Sequence, residues 1–261
     1  MKSLKQARRI VFKVGTSSLT YATGRPNLRR ISSLVKVLSD LSNSGIDIAL
    51  VTSGAISVGV GKLGLAQKPQ DTPSRQAAAC VGQCELMFMY DKLFSEFGKS
   101  VGQLLMTRDD YENEERRQNL TNAFDKMFGF GVIPIINEND SVAVEEIVFG
   151  DNDSLSAIVA RLIGADALVI LSDIDGLFTA NPALDESATL IPVVNAITDE
   201  IKALAGGSGS NRGTGGMVTK LHAAEIATEA GIDTVIMNGA YPEDIYKLID
   251  GRQVGTLFKK Q

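Results

Sequence analysis

Short apolar segments alternate with longer segments of helical periodicity along most of this chain. Strands are predicted in the solidly apolar runs 9–14, 46–51, 101–106, 132–136, 168–171 and 234–237. Helices are predicted in the segments 27–43, 72–97, 116–128, 152–163, 217–230 and 242–249. Solidly apolar strands joined by helices are typical of a parallel sheet that is buried on both faces. We therefore expect an α/β fold, a three-layer αβα sandwich with a mostly parallel central sheet.

The composition excludes several classes of function. The chain has 261 residues and a net charge of −5, which argues against nucleic acid as a partner, because binding to its phosphates needs surface cations. The one histidine, His222, excludes histidine-rich metal sites, and Cys80 and Cys84 lack the spacing of a redox motif. No apolar run approaches the roughly 18 residues of a membrane span, so no membrane partner is expected. The N-terminal segment lacks the apolar core of a signal peptide, and we expect a cytoplasmic protein.

Two glycine-rich segments are candidates for phosphate binding. In the first, Lys13 interrupts an apolar strand and precedes Gly15 and three hydroxyl residues, which together can offer ammonium, amide and hydroxyl groups to an anion. In the second, segment 213–220, glycines precede a predicted helix. Lys220 falls in the first turn of that helix, where a cation is electrostatically unfavourable unless an anion lies there. A GxGxxG run at 59–64 does not directly follow a strand, so we assign it a loop or packing role.

Polar side chains cluster where the predicted strands end. Segments 137–140 and 150–153 are rich in Asn, Asp and Glu, and the second opens a helix. Helix capping explains one Asn or Asp at each helix start but not two clusters, so we expect some of them to hold a substrate amine or to order the two lysines. In parallel sheets, ligands bind at the carboxyl ends of the strands, where these clusters should meet. Between the helices we also predict a strand or hairpin arm at 142–149 and a loop at 205–216.

Six motifs, in this order, resemble the amino acid kinase family. They read VFKVGTS at 11–17, VTSGA at 51–55, IINEND at 135–140, GDNDSLSA at 150–157, LSDIDGL at 171–177 and GTGGMVTK at 213–220. With GTLF at 255–258, the resemblance covers nearly the whole chain. It implies the open αβα sandwich of that family. It also implies transfer of phosphate from ATP to the side-chain carboxylate of L-glutamate, the first step of proline synthesis.

The resemblance also assigns roles to individual residues. It implies catalytic roles for Lys13, Asp153 and Lys220, with Asp153 organising the two lysines. The acceptor-binding residues that it implies are Ser53, Gly54, Ala55, Asn137, Asp140 and Asn152. The nucleotide-binding residues that it implies, in addition to the two lysines, are Gly15, Thr16, Ser17, Ser172, Asp173, Thr214, Gly215, Gly216, Met217, Val218 and Thr219.

Further expectations concern cofactors, domains and partners. ATP and Mg²⁺ are implied, with Mg²⁺ bound through phosphate oxygens and water rather than directly by protein side chains. We expect a single kinase domain over 1–261, with an acceptor lobe at about 1–165, a nucleotide lobe at about 166–261, and no C-terminal PUA domain. We also expect a homo-oligomer (a dimer or tetramer), a partnership with the next enzyme of the pathway, and feedback inhibition by proline. Proline should compete with glutamate while segment 142–149 closes over the ligand.

Two alternatives stay open at this point. The first is a related kinase of the same family that acts on aspartate, acetylglutamate, carbamate or UMP. An amide-rich and acidic acceptor pocket favours an amino group, whereas UMP would call for basic ligands around its phosphate. The second is a non-catalytic amino-acid sensor built on a kinase fold, against which the presence of Lys13, Asp153 and Lys220 argues.

Overall fold

Eight strands form one sheet in the computed structural model, which describes residues 2–143, 152–205 and 216–261. The strands are β1 Arg9–Val14, β2 Asp47–Val51, β3 Val101–Met106, β4 Ile133–Glu138, β5 Ala167–Ser172, β6 Val193–Val194, β7 Asp233–Asn238 and β8 Thr256–Phe258. Their order across the sheet is β3-β4-β2-β1-β5-β7-β8-β6. Every neighbouring pair is parallel except β7 and β8. The expectation of a mostly parallel sheet is therefore confirmed.

Helices cover both faces of this sheet. After a short 3-10 helix at Lys2–Gln6, they are α1 Thr16–Leu19, α2 Leu28–Asn43, α3 Ala55–Leu63, α4 Thr72–Ser95, α5 Arg108–Glu112, α6 Glu114–Gly129, α7 Asn152–Leu162, α8 Asp199–Ala205, α9 Met217–Glu229 and α10 Asp244–Ile249. Ile10 and Phe12 of β1 lie in one apolar core with α2, α4 and α10. Val11 lies in a second core with α6, α7 and α9. Because alternate residues of one strand enter two cores, the expected three-layer sandwich is confirmed.

Local sequence signals explain where the long helices begin. Asn27 caps α2 by accepting a hydrogen bond from the backbone N–H of Arg30 at 3.2 Å. Asp71 caps α4 in the same way from Ser74 at 2.9 Å, with a proline in the first turn. These side chains satisfy backbone donors that have no partner inside the helix.

The structure differs from the predicted elements in several places. It adds the short strands β6 and β8 and the helices α1, α3, α5 and α8, which are too short or too glycine-rich to give a clear periodic signal. Strand β4 continues to Glu138, so the first polar cluster begins inside the strand. The GxGxxG run at 59–64 lies mainly in α3, where Gly59 packs closely against α4. The predicted arm at 142–149 and the loop at 205–216 lie largely in 144–151 and 206–215, outside the described residues.

Helices α3 and α4 meet backbone to backbone. A Cβ atom built on Gly59 would lie 1.8 Å from the carbonyl oxygen of Ala78, and one built on Gly82 would lie 1.7 Å from that of Ala55. Real Cβ atoms do not approach carbonyl oxygens this closely, so both positions require glycine. The contact holds the first residue of α3 against the middle of α4.

The topology brings four strand ends together. From β1 the chain moves to β2 on one side, and after β4 it returns to pair β5 on the other side of β1. The register sets Lys13 of β1 level with Val51 of β2 and Ile170 of β5. Ligands in open parallel sheets bind where the strand order reverses in this way, at the carboxyl ends. None of the helices in the described ranges is long and apolar enough to cross a membrane.

The close contact between α3 and α4 predicts a strong effect of Gly82→Ala. The added methyl group would meet the carbonyl of Ala55, and separating two packed helices should lower the free energy of unfolding by about 1–3 kcal/mol. Urea denaturation of the two proteins measures this difference. The matched control is Gly129→Ala at the end of α6, where an added Cβ has no neighbour within 4 Å. The control should be as stable as the parent or slightly more so. A Gly82→Ala protein of unchanged stability would contradict the contact.

Candidate active site

Most of the described residues predicted to form the site lie around the carboxyl ends of β1, β2, β4 and β5. Lys13, Asn137 and Ser172 stand near the ends of β1, β4 and β5, and Ser53 follows β2. Asn152 and Asp153 are the first two residues of α7, and Lys220 lies in the first turn of α9. Thr214 and Gly215 lie outside the described residues, so their predicted roles remain predictions.

Asp153 forms the charged centre of this site. Its carboxylate is fully buried, with Oδ1 2.5 Å from Nζ of Lys13 and Oδ2 3.0 Å from Nζ of Lys220. Lys13 shares the face of β1 with Val11, which points it towards the layer of α7 and α9. Both lysines are themselves more than nine-tenths buried. Three charges are thus held in the protein interior with their counter-charges in contact, which buried ions require.

The electrostatics of Asp153 follow from two opposed effects. Burial would raise the pKa of its carboxyl group, because it disfavours the charged form. The adjacent ammonium groups of Lys13 and Lys220 outweigh burial and hold the pKa below its usual value. Asp153 is therefore ionised at neutral pH. Its position in the first turn of α7 adds a favourable interaction with the helix dipole.

The counter-charge of Lys220 is the carboxylate of Asp153, the residue that the resemblance expects to organise both lysines. The pattern calls for an anion near the start of this helix, and the structure places the Asp153 carboxylate there. The hydroxyl of the adjacent Thr219 lies 3.0 Å from Oδ2 of Asp153 and 2.9 Å from the carbonyl oxygen of Gly216. The start of α9 is thereby fastened to the start of α7.

The turn after β1 lies beside this charged centre. A Cβ atom on Gly15 would be 3.8 Å from Nζ of Lys13, so the turn passes directly over the ammonium group. Gly54, in the turn after β2, has a φ of +96°, and a Cβ atom there would touch the side chain of Thr16 at 3.5 Å. Thr16 and Ser17 form the first turn of α1. The turn predicted to bind nucleotide and the turn predicted to bind the acceptor are therefore in contact.

A network of side-chain amides lies on the other side of Asp153. Nδ2 of Asn152 lies within hydrogen-bond distance of the carbonyl oxygen of Thr52 at 3.0 Å, Oγ of Ser53 at 2.9 Å and Oδ1 of Asn137 at 3.0 Å. Nδ2 of Asn137 donates to Oε1 of Gln83 in α4 at 2.9 Å. The network joins three predicted acceptor residues to Gln83, which the sequence interpretation missed.

Thr52 and Tyr90 form a further side-chain contact that the sequence analysis did not identify. The hydroxyl groups of Thr52 and Tyr90 are 2.9 Å apart, and both residues are buried. Burial raises the pKa of Tyr90 far above its ordinary value, so its hydroxyl stays neutral. This contact joins the turn after β2 to α4.

Charged residues surround the turn after β4. Partial removal from water, and then the charge of Arg75, lower the pKa of Lys68. The carboxylate of Asp140 acts in the opposite direction and raises it. Nε2 of Gln76 donates to the carbonyl oxygen of Ser141 at 3.2 Å and ties this turn to α4. Asp140 is therefore close enough to Lys68 to interact with its charge.

The remaining nucleotide-binding candidates lie on the side of β5 and α9. Ser172 is buried at the end of β5, and its hydroxyl donates to Oδ1 of the exposed Asp173 at 3.2 Å. Gly216 precedes α9, Met217 opens it, and Val218 is exposed there. Because β2 and β5 flank β1 in the sheet, Ser172 and the amide network lie on opposite sides of β1.

Comparisons with known proteins agree with this geometry. The family model described as the amino acid kinase family matches residues 8–238. The chain belongs to the amino acid kinase family. It is 52% identical over 261 residues to a protein of Clostridium perfringens named glutamate 5-kinase, covering 98% of this chain and 97% of that protein. A glutamate 5-kinase of Clostridium acetobutylicum is 52% identical over 257 residues, covering 98% of this chain and 96% of that one.

A solved structure shares the fold at low identity. The isopentenyl phosphate kinase of T. acidophilum matches with a TM-score of 0.67 and 18% identity, covering 96% of this chain and all of that one. At this identity the likeness concerns the fold alone. The family resemblance and the fold expected from the sequence are both confirmed.

The charged centre predicts a pH-dependent loss of stability on Asp153→Asn. Removing the carboxylate leaves two buried ammonium groups without their counter-charge, which should lower the free energy of unfolding at neutral pH by about 3–5 kcal/mol. Because the pKa of Asp153 is depressed in the folded protein, its stabilisation is complete above the usual value of 3.8 and is lost as the pH falls below it. Urea denaturation of both proteins from neutral to acidic pH measures this. The two should differ most at neutral pH and converge in acid.

The control for this experiment is Asp91→Asn, which makes the same change at an exposed position of α4. It should leave the stability nearly unchanged at every pH. Equal effects of the two substitutions would contradict a central role of the Asp153 charge.

Proposed function

We propose that this chain is an enzyme that transfers the γ-phosphoryl group of ATP to the side-chain carboxylate of L-glutamate, giving L-glutamate 5-phosphate and ADP. The observation that carries this proposal is one buried carboxylate, Asp153, that positions two lysine ammonium groups next to the side-chain amides of Asn137 and Asn152. The near full-length relatives named glutamate 5-kinase support the choice of acceptor. In this assignment the reaction is the first step of proline biosynthesis.

The chemistry requires charge cancellation rather than a base. A side-chain carboxyl group with a pKa of about 4.3 is already ionised at neutral pH, so the nucleophile needs no deprotonation. One carboxylate oxygen attacks the γ-phosphorus while the bond from that phosphorus to the β–γ bridging oxygen breaks, and ADP leaves. Two anions approach each other in this step. Lys13 and Lys220 offset the repulsion and stabilise the charge that moves to the leaving group.

Asp153 determines where that positive charge lies. It uses one oxygen for each lysine, so the two ammonium groups are held at a fixed separation on the buried side of the site. We assign the acceptor to the side of Ser53, Gly54, Ala55, Asn137, Asp140 and Asn152. We assign the nucleotide to the side of Gly15, Thr16, Ser17, Ser172, Asp173 and residues 214–219. Apart from Gly15, Thr16 and Ser17, this assignment follows the expected acceptor lobe over about 1–165 and nucleotide lobe over about 166–261 of one domain.

Magnesium fits this site as a companion of ATP. When bound to the phosphate oxygens, Mg²⁺ neutralises charge and orients the triphosphate. The buried carboxylate of Asp153 has both oxygens engaged by ammonium groups, so it is not a ligand for the metal. Asp173 is exposed next to Ser172, where its carboxylate could accept a hydrogen bond from a water bound to the metal.

The composition of the proposed acceptor site argues against UMP as the acceptor. Its described polar groups are amides, hydroxyls and the carboxylate of Asp140, which suit an amino acid better than the phosphate of UMP. A non-catalytic sensor would need no buried lysines at the transfer point, and both are present and ion-paired. Measuring ADP release with glutamate, aspartate, acetylglutamate and UMP as acceptors tests these alternatives together.

Inhibition by proline is part of this proposal. Proline shares the α-carboxylate and an ammonium group with glutamate, so the same pocket should bind both. The expected homo-oligomer, a partnership with the next enzyme and a cytoplasmic location stay predictions.

The proposed role of Lys220 predicts a specific kinetic defect. Lys220→Ala should lower kcat about 100-fold or more, because the ammonium group stabilises charge mainly in the transition state. Glutamate KM should change much less. The matched control is Lys36→Ala at an exposed position of α2, which should retain full activity. An unchanged kcat in the Lys220 variant would contradict its place beside the transferred group.

The proposed role of Asp140 predicts a defect on the acceptor side alone. Asp140→Ala should raise glutamate KM about tenfold or more, with little change in ATP KM, because a charged partner of the acceptor is lost.

Proline inhibition gives a second test of Asp140. In the parent enzyme, initial rates at several proline concentrations should show competition with glutamate, and Asp140→Ala should weaken that inhibition. Inhibition that is non-competitive and survives Asp140→Ala would indicate a separate regulatory site.

A further inference from the structure

Two buried amide atoms at the acceptor network have no hydrogen-bond partner in the described part of the chain. They are Nε2 of Gln83 and Oδ1 of Asn152. Gln83 as a whole is only 8% exposed. A buried polar atom without a partner is costly, and native proteins rarely keep one that has no use. The first atom is a donor and the second an acceptor.

Backbone groups fix which amide atom is which. Oδ1 of Asn137 accepts from the backbone N–H of Glu138 at 2.9 Å, so its Nδ2 must be the atom that faces Gln83. That Nδ2 can only donate, so the atom of Gln83 that meets it is the oxygen, and the NH₂ group is left over. At the other end, the carbonyl oxygen of Thr52 requires Nδ2 of Asn152, which leaves Oδ1 over.

The fold places Gln83 beside the predicted acceptor residues Ala55 and Asn137. The neighbouring Gly82 touches the carbonyl of Ala55, the first residue of α3 and a predicted acceptor residue. Asn137 lies on the face of β4 that it shares with Ile135, which belongs to the core beneath α4. Asn152 reaches the same point from α7 in the opposite layer. The network thus spans the strand ends from Gln83 to Asn152.

We propose that Gln83 is an acceptor-binding residue that recognises the α-carboxylate of the acceptor amino acid through its Nε2 group. Oδ1 of Asn152 then accepts a hydrogen bond from the α-ammonium group. A free donor and a free acceptor match the two ends of an amino-acid zwitterion. The side-chain carboxylate is left to point towards Lys13 and Lys220. This inference rests on the proposed function, because it takes glutamate as the acceptor.

The test changes the hydrogen-bonding character of Gln83 with little change in shape. Gln83→Glu replaces the NH₂ donor with a carboxylate oxygen, which repels the α-carboxylate of glutamate. The kcat/KM for glutamate should fall about tenfold or more. The α-amide of glutamate, whose NH₂ can donate to the new carboxylate, should lose far less or gain. The ratio of the two kcat/KM values should therefore shift towards the α-amide.

A second variant separates recognition from support of the fold. Gln83→Met keeps an unbranched side chain but removes the amide, and it should raise glutamate KM about tenfold with little change in ATP KM. The control is Gln118→Glu at an exposed position of α6, which should change neither value.

The outcomes divide as follows. A larger loss with glutamate than with its α-amide in Gln83→Glu supports the contact. Equal losses with both acceptors, or equal rises of glutamate and ATP KM in Gln83→Met, would overturn it and leave Gln83 with a structural role only. Failure of the parent enzyme to form ADP with glutamate would refute the proposed function itself, which is a different result.

Discussion

The ion pairs of Asp153 with Lys13 and Lys220 are the interaction on which the rest of the site depends. Three charges lie in the interior, and each would be strongly unfavourable there alone. Together they hold β1, α7 and α9 in contact at one point. Several of the predicted acceptor and nucleotide residues lie on or next to these elements. In the proposed reaction, the two lysines lie where the two anionic substrates meet.

The amide network depends on a different constraint, the glycine contact between α3 and α4. Because Gly82 has no side chain, α4 approaches the first residue of α3, and Gln83 next to it reaches Asn137. Asn137 then holds Asn152, whose neighbour in sequence is Asp153. A packing contact between two helices therefore controls an amide network, and that network adjoins the charged centre.

Local anomalies in the sequence made part of this site predictable. Lys13 interrupts an apolar strand and Lys220 opens a helix, and both positions indicate a function because a lysine is unfavourable there without an anionic partner. Gln83 gives no such signal, since a glutamine inside a 24-residue helix is ordinary and its partner Asn137 is 54 residues away.

The alternating strands and helices of the fold were predictable from the periodicity of apolar residues. Strand β6 has two residues and β8 three, too few to show a period, and α3 forms despite Gly59 and Gly61 because its packing outweighs their low helix propensity.

An oxygen-18 experiment tests directly whether the side-chain carboxylate of glutamate is the nucleophile in phosphoryl transfer. Glutamate labelled with oxygen-18 in its side-chain carboxylate is incubated with Mg-ATP, this chain and hydroxylamine. Hydroxylamine attacks the carbonyl carbon of the acyl phosphate and releases phosphate that keeps one carboxylate oxygen. If the carboxylate is the nucleophile, each ADP formed is accompanied by one hydroxamate and one phosphate carrying a single oxygen-18 atom. Phosphate without the label would mean that water attacked ATP, and would contradict the proposed reaction.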